Sequence, residues 1–127
     1  MRQKTILVMV FLLVLPLVNC VSMNGGQTKG WLDMSPMEKS TYAMAVYNRQ
    51  YEDYMSQVGY VKDSTGAWVS GGEVDLSEDQ KEMLRSKKDI LGKLYPAIQL
   101  YKGQMQFGNV PSPETEQELY DLLNQLQ

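Results

Sequence analysis

SEDQKEMLRSKKDILGKLYPAIQLYKGQM, residues 77–105, is the stretch on which the fold turns. Leu84, Leu91, Ile98 and Met105 recur every seven residues, and Leu94 and Tyr101 add a second row beside them. That spacing belongs to one face of a helix, and an alternation of period two does not fit it. Ser77 supplies an N-cap and Gln80 its capping-box partner, while Glu78 and Asp79 suit the positive end of the helix dipole. Lys87 and Lys88 interrupt the apolar face and are assigned to its wet side. Pro96 removes one N–H donor and crowds the carbonyl of Gly92. The apolar rows continue in phase past it, so the spacing predicts a helix over about 78–107, kinked near residue 96.

Working outward, Ser35-Pro36-Met37-Glu38 carries the same kind of start signal, with Ser35 as N-cap, Pro36 at the first helical position and Glu38 three residues on. Met37, Met44, Tyr51 and Val58 follow at heptad spacing, with Thr41, Tyr47 and Tyr54 between them, and Gly59 can end the helix in a left-handed conformation. A helix over about 36–58 is predicted. Toward the C-terminus, Ser112-Pro113-Glu114 opens a third helix over about 113–126 with Leu119, Leu122, Leu123 and Leu126 as its apolar face. Glu114, Glu116, Glu118 and Asp121 are assigned to water or to the helix start. Three amphipathic helices joined this way predict an all-α domain over residues 35–127, a small three-helix antiparallel bundle. Between the first two helices, Gly66, Gly71 and Gly72 surround Trp68 and Val69; this segment reads as a loop with room for a short hairpin around 67–70.

Composition removes several chemistries. The chain has 127 residues, no histidine and one cysteine. No internal disulfide, no Cys/His zinc site and neither a Ser-His-Asp nor a Cys-His nucleophile system can be assembled. All fifteen acidic residues and ten of the twelve basic ones follow Cys20, which leaves that part near −5. Nucleic-acid binding needs a clustered basic surface, and a polybasic grip on anionic lipid needs one too; the acidic balance argues against both.

The first residues differ from the rest. Arg2 and Lys4 form a basic start, and residues 6–18 are thirteen uncharged apolar residues. This is the n-region and h-region pattern of an export signal. Leu17-Val18-Asn19-Cys20 then resembles the lipobox of bacterial lipoproteins, with Asn19 where Gly, Ala or Ser is usual. The resemblance covers about a sixth of the chain and implies a lipoprotein precursor. Residues 1–19 would be the signal, and Cys20 would be alkylated by a diacylglyceryl group. Cleavage before Cys20 and acylation of the new amino terminus would follow. Two acyl chains or more hold stably at a membrane, at ~0.8 kcal/mol per buried methylene. Residues 20–34, rich in Ser, Asn, Gly and Thr, are expected to be the lipidated cysteine and a flexible tether. Two other readings of the segment stand beside this one: an uncleaved anchor over the nineteen residues 5–23, and a cleaved signal that leaves a free thiol. Location is expected in the cell envelope. Val21 is not the aspartate linked to inner-membrane retention, so in a cell with two membranes the outer one is favoured.

The expected function is a non-catalytic structural or interaction module of the envelope, without cofactor or metal. Its partners would be the membrane, through lipid on Cys20, and an envelope protein. The candidate partner surface is Trp68 and Val69 with Tyr60, because an aromatic residue on a glycine-hinged loop is the kind of anchor that dominates interfaces. Packing of Trp68 onto its own domain is the competing reading. Tyr47, Tyr51 and Tyr54 share one helix face, with Tyr42 elsewhere, and are read first as core. Two alternatives are weighed. A wall-cleaving enzyme built on a lone carboxylic acid would need a cleft around a buried glutamate. Thioether ligation of Cu(I) by some of the seven methionines after Cys20 competes with their use as core filling. Glu52 and Asp53 point about 100° apart on a helix and form no facing pair. The acidic run from Glu73 to Glu82 lacks the Asp-x-Asp-x-Asp-Gly pattern of a calcium loop.

Overall fold

A computed structural model of the chain describes residues 30–127. The residues read as an export signal, Cys20 and most of the expected tether lie outside the described residues. The chain divides into two units, residues 1–33 and residues 34–127. In the first, Trp31–Asp33 is a single 3-10 turn closed by the Asp33 N–H on the Gly30 carbonyl at 2.9 Å. The second unit holds α1 (Pro36–Gln57), β1 (Tyr60–Lys62), β2 (Trp68–Ser70), α2 (Glu78–Met105) and α3 (Pro113–Gln125). The domain is therefore mainly helical. The all-α expectation is modified by a two-stranded antiparallel hairpin between α1 and α2. Among the described residues no helix is long and apolar enough to cross a membrane.

The helix starts follow their caps. Ser35 accepts from the Glu38 N–H while Glu38 accepts from the Ser35 N–H, and Ser77 and Gln80 repeat this reciprocal pair. Ser112 accepts from the Thr115 N–H at the start of α3. Each box satisfies two donors that the helix itself leaves open. The ends fall within two residues of the predicted ones. α2 runs without a break through Pro96.

Contacts between helices set their directions. Asp53 meets Lys87 and Tyr47 meets Tyr95, so α1 and α2 run in opposite senses. Tyr101 meets Glu116 and Gln104 meets Thr115, so α2 and α3 do as well. α2 is the central element. Its Leu84, Leu91, Leu94, Ala97, Ile98 and Tyr101 are buried, together with Leu119, Leu122 and Leu123 of α3. These are the predicted faces of both helices, with Met105 and Leu126 half-buried at their ends.

In α1 the predicted row is out of phase. The buried residues are Lys39, Ser40, Ala43 and Val46, whereas Met37 is exposed and Met44, Tyr51 and Val58 are half-buried. Each heptad step falls about 20° short of two full helical turns, so a row that begins outside the buried face slides toward it along the helix. The small Ser40 and Ala43 occupy the face that the N-terminal half turns to its neighbours, and the tyrosines take over in the C-terminal half.

The hairpin is fixed by its turn. The Asp63 carboxylate accepts from the Thr65 N–H at 2.8 Å, the Thr65 hydroxyl at 2.5 Å and the Ala67 N–H at 3.1 Å, and Gly66 takes a positive φ of 83°. These bonds hold the Asp63 carboxyl below its ordinary range. The register pairs Tyr60 with Ser70, Val61 with Val69 and Lys62 with Trp68. At its base Gly59, with φ of 93°, turns the chain out of α1, and its carbonyl accepts the Gly71 N–H at 2.7 Å.

Candidate functional site: an aromatic groove between α1, α2 and the hairpin

The C-terminal half of α1 carries tyrosines at positions 47, 51 and 54, a spacing of four and three that puts them on one face. α2 lies opposite with Leu91, Gly92, Tyr95 and Pro96. Between the two helices and Tyr60 of β1 is a groove of ≈ 600 Å³, lined also by Met55, Val58 and Lys88. Its floor is Leu91, which belongs to the core. Gly92 and Pro96 lie one turn apart on this side of α2.

The rings form a connected series. Tyr47 and Tyr51 stack with centroids 5.8 Å apart, Tyr47 leans on Tyr95 at 5.3 Å, and Tyr51 meets Trp68 edge-on at 6.4 Å. These separations lie in the range where aromatic pairs attract beyond their buried area. Burial, followed by the neighbouring Tyr51 and Tyr95, pushes the Tyr47 hydroxyl above its ordinary value. It therefore stays a neutral donor and acceptor at physiological pH.

Charges frame the groove in pairs. Lys62 bridges to Glu52, and its ammonium lies 5.1 Å from the centre of the Trp68 ring. Lys87 bridges to Asp53 at 2.5 Å. The Lys87 hydrogen bond, then that from Gln57, holds the Asp53 carboxyl below its usual range. Glu52 and Asp53 thus turn to different lysines. Lys88 lines the groove itself. Such a surface offers ring faces, hydroxyl groups and one cation.

The three expected partner-binding residues separate across the hairpin. Strand alternation and the Lys62–Trp68 pairing put Tyr60, Lys62, Trp68 and Ser70 on one face of the sheet and Val61 and Val69 on the other. Tyr60 is at the groove, and Trp68 is half-buried against Tyr51. Val69 is exposed on the far face and takes no part in the groove. Tyr47, Tyr51 and Tyr54, read first as core, are only half-buried and form the groove wall. Tyr42 stands apart, accepting from the Gln127 amide at 3.3 Å.

The opposite wall, Tyr95, Pro96 and Lys88, was not anticipated from the sequence. The signal available was the step from Leu91 to Tyr95, one helical turn from a core residue. Glu116, assigned to water or to the helix start, lies in the first turn of the last helix and has partners that the sequence did not indicate. Its carboxylate is largely covered, accepting from Lys39 at 2.5 Å and from the Tyr101 hydroxyl at 3.3 Å. Cys20 lies outside the described residues. Among the described residues no three His, Cys, Asp or Glu side chains cluster as metal ligands do. No protein-family model, no curated protein and no solved structure matches this chain.

Proposed function

We propose that this chain is the precursor of a bacterial lipoprotein, anchored through acyl groups on Cys20, whose exported domain is a non-catalytic interaction module of the cell envelope. The domain is read as a small three-helix antiparallel bundle with a hairpin inserted after its first helix. The partner is an envelope protein that lays an extended segment along the aromatic groove. The observation that carries the reading is the run of rings Tyr95, Tyr47 and Tyr51 along an open groove, continued by Trp68 of the hairpin against Tyr51. Rings held by their neighbours contribute contact area with little further loss of side-chain freedom on binding. The basic start, the apolar residues 6–18 and Leu17-Val18-Asn19-Cys20 support export and attachment.

Two measurements test the two halves. Cells fed a clickable fatty acid incorporate it into the wild type and not into Cys20→Ser; equal labelling, or none, removes the anchor. A photo-crosslinking residue at Tyr95 traps a discrete envelope protein, while the same residue at Glu118 on α3 does not. Identical products at both positions, or none at Tyr95, remove the groove as the docking surface.

A further inference from the structure

The two ends of the helical domain differ in kind. At one end are the hairpin and the groove. At the other, the start of α1, the end of α2 and the start of α3 are tied together. Lys39 bonds Glu116, Gln104 donates to the Thr115 hydroxyl at 3.0 Å, and the Ser112 N–H donates to Gln104 at 2.9 Å. Around this knot lie three large apolar residues with little cover: Met37 is 66% exposed, Phe107 85% and Val110 79%. Phe107 and Val110 stand on the short connection between α2 and α3, where Gly108 turns the chain with a φ of 73°. Met37 is two residues from Lys39, on the first turn of α1.

The chain enters the domain at this same end. Residue 34 begins the second unit, and α1 starts at Pro36. Whatever holds residues 6–20 at a membrane is therefore joined covalently to the end that carries Met37, Phe107 and Val110. α1 has 22 residues. At 1.5 Å per residue it places the hairpin about 33 Å away along its axis. Sixteen positions separate Cys20 from Pro36. A tether of that length keeps the domain within about 60 Å of the bilayer and at high local concentration beside it.

We infer that this apolar tip of Met37, Phe107 and Val110 is a membrane-contact surface that enters the interfacial layer of the bilayer and stands the domain upright with its groove directed outward. The inference rests on the membrane attachment proposed above and holds for an acylated Cys20 and a retained apolar segment alike. Exposed aromatic and aliphatic side chains on a turn are suited to the headgroup and acyl boundary. The occupant is a neutral lipid surface. Glu38, Lys102 and Glu114 beside the knot supply no basic cluster, so insertion draws on apolar contact and not on lipid charge.

The test uses the full chain purified from membranes with its native modification and reconstituted into phosphatidylcholine vesicles. Phe107→Cys, Val110→Cys and, at the hairpin turn, Ser64→Cys each receive an environment-sensitive dye. The expected result is blue-shifted emission and several-fold weaker iodide quenching at positions 107 and 110 than at 64, unchanged when phosphatidylglycerol replaces part of the lipid. Flotation of the unlabelled chain with the vesicles reports attachment separately. A chain that floats while position 107 is quenched as readily as 64 overturns tip insertion and leaves attachment standing. Protection at 107 that occurs in native envelopes and not in pure vesicles assigns the tip to a protein and also overturns it. A chain that fails to float overturns attachment and insertion together.

Discussion

Lys39 and Glu116 are joined at 2.5 Å across 77 residues of sequence, and the lysine side chain is almost fully covered. The pair ties the first turns of α1 and α3; farther along, Gln50 reaches the Leu126 carbonyl. Desolvation offsets much of the attraction in such a pair, but removing one partner leaves the other covered without its counter-charge. Lys39→Met is expected to lower stability by about 2–3 kcal/mol, below the full cost of a wholly buried pair because Glu116 keeps some water. Lys39→Met with Glu116→Gln should recover most of the loss, since the amide still accepts from Tyr101. Urea unfolding of the four members of the cycle measures the coupling. A double variant no better than Lys39→Met contradicts it.

The Tyr101 hydroxyl, on a fully buried ring, donates to the same carboxylate. Burial, then the negative charge of Glu116 and the hydrogen bond to it, pushes its pKa from 10.0 up to about 12. The folded value lies above the unfolded one. The protonated tyrosine therefore contributes its full stability below the ordinary value of 10.0, and that contribution is lost as pH rises toward about 12. Tyr101→Phe should cost about 1 kcal/mol at neutral pH. It should also lose less stability than the wild type across that alkaline window. The same comparison holds the lysines constant. Parallel stability curves from pH 8 to 12 for the two proteins would contradict the linkage.

Gly59 sits where α1 gives way to the hairpin. An added Cβ would lie 2.7 Å from the Val74 side chain and 2.8 Å from the Gly72 carbonyl, and its φ is 93°. Gly59→Ala combines strain of about 1–3 kcal/mol with a clash against backbone. Gly66 has a similar φ of 83° and open space around it. Gly66→Asn, whose side chain tolerates the left-handed region, should cost well under about 1 kcal/mol. Thermal unfolding separates the two: a large loss at position 59 and a small one at 66. Equal losses would show that φ alone, and not the packed junction, governs this turn.

The helices were legible because their signals are local. Serine caps answered by Glu38 and Gln80, and the leucine rows of α2 and α3, lie within one or two turns of sequence. α2 shows its rows well because it is covered from two sides, so both Leu84-Leu91-Ile98 and Leu94-Tyr101 are buried. α1 reads poorly because its two halves serve different neighbours and its heptad row drifts across the boundary. The hairpin strands are three residues each, too short for alternation to show, and they span 60–70 where the glycines suggested a hairpin only around 67–70. Half of the site was visible as tyrosines at helical spacing. The other half depends on which residues of α2 stand opposite, a fact of pairing that spacing within one helix does not carry. The burial of Glu116 was hidden for a related reason: a glutamate among glutamates at a helix start shows nothing of its partner 77 residues away.

Trp68 and Tyr95 occupy the two ends of the ring series and separate the structural role of the groove from its binding role. Trp68 is half-buried against Tyr51 and under Lys62. That position lies between the two readings the sequence offered, a core cap and a free anchor. A fully buried tryptophan truncated to alanine costs about 3–5 kcal/mol. For this half-covered ring the expected loss is about 1–2 kcal/mol, a few degrees in Tm for a domain of this size. Tyr95 is 47% exposed, and its ring leans on Tyr47 without entering the core. Tyr95→Ala should cost less than about 1 kcal/mol. If the groove holds an envelope protein, both variants lose the partner recovered from envelope extracts, and Tyr95→Ala does so while its Tm stays close to that of the wild type. Recovery of partners from envelope extracts, read beside the melting curve of each variant, makes the distinction. A Tyr95→Ala protein that keeps every partner would remove the groove from the interface. A Trp68→Ala protein that melts lower but keeps every partner would reduce Trp68 to a brace for the hairpin.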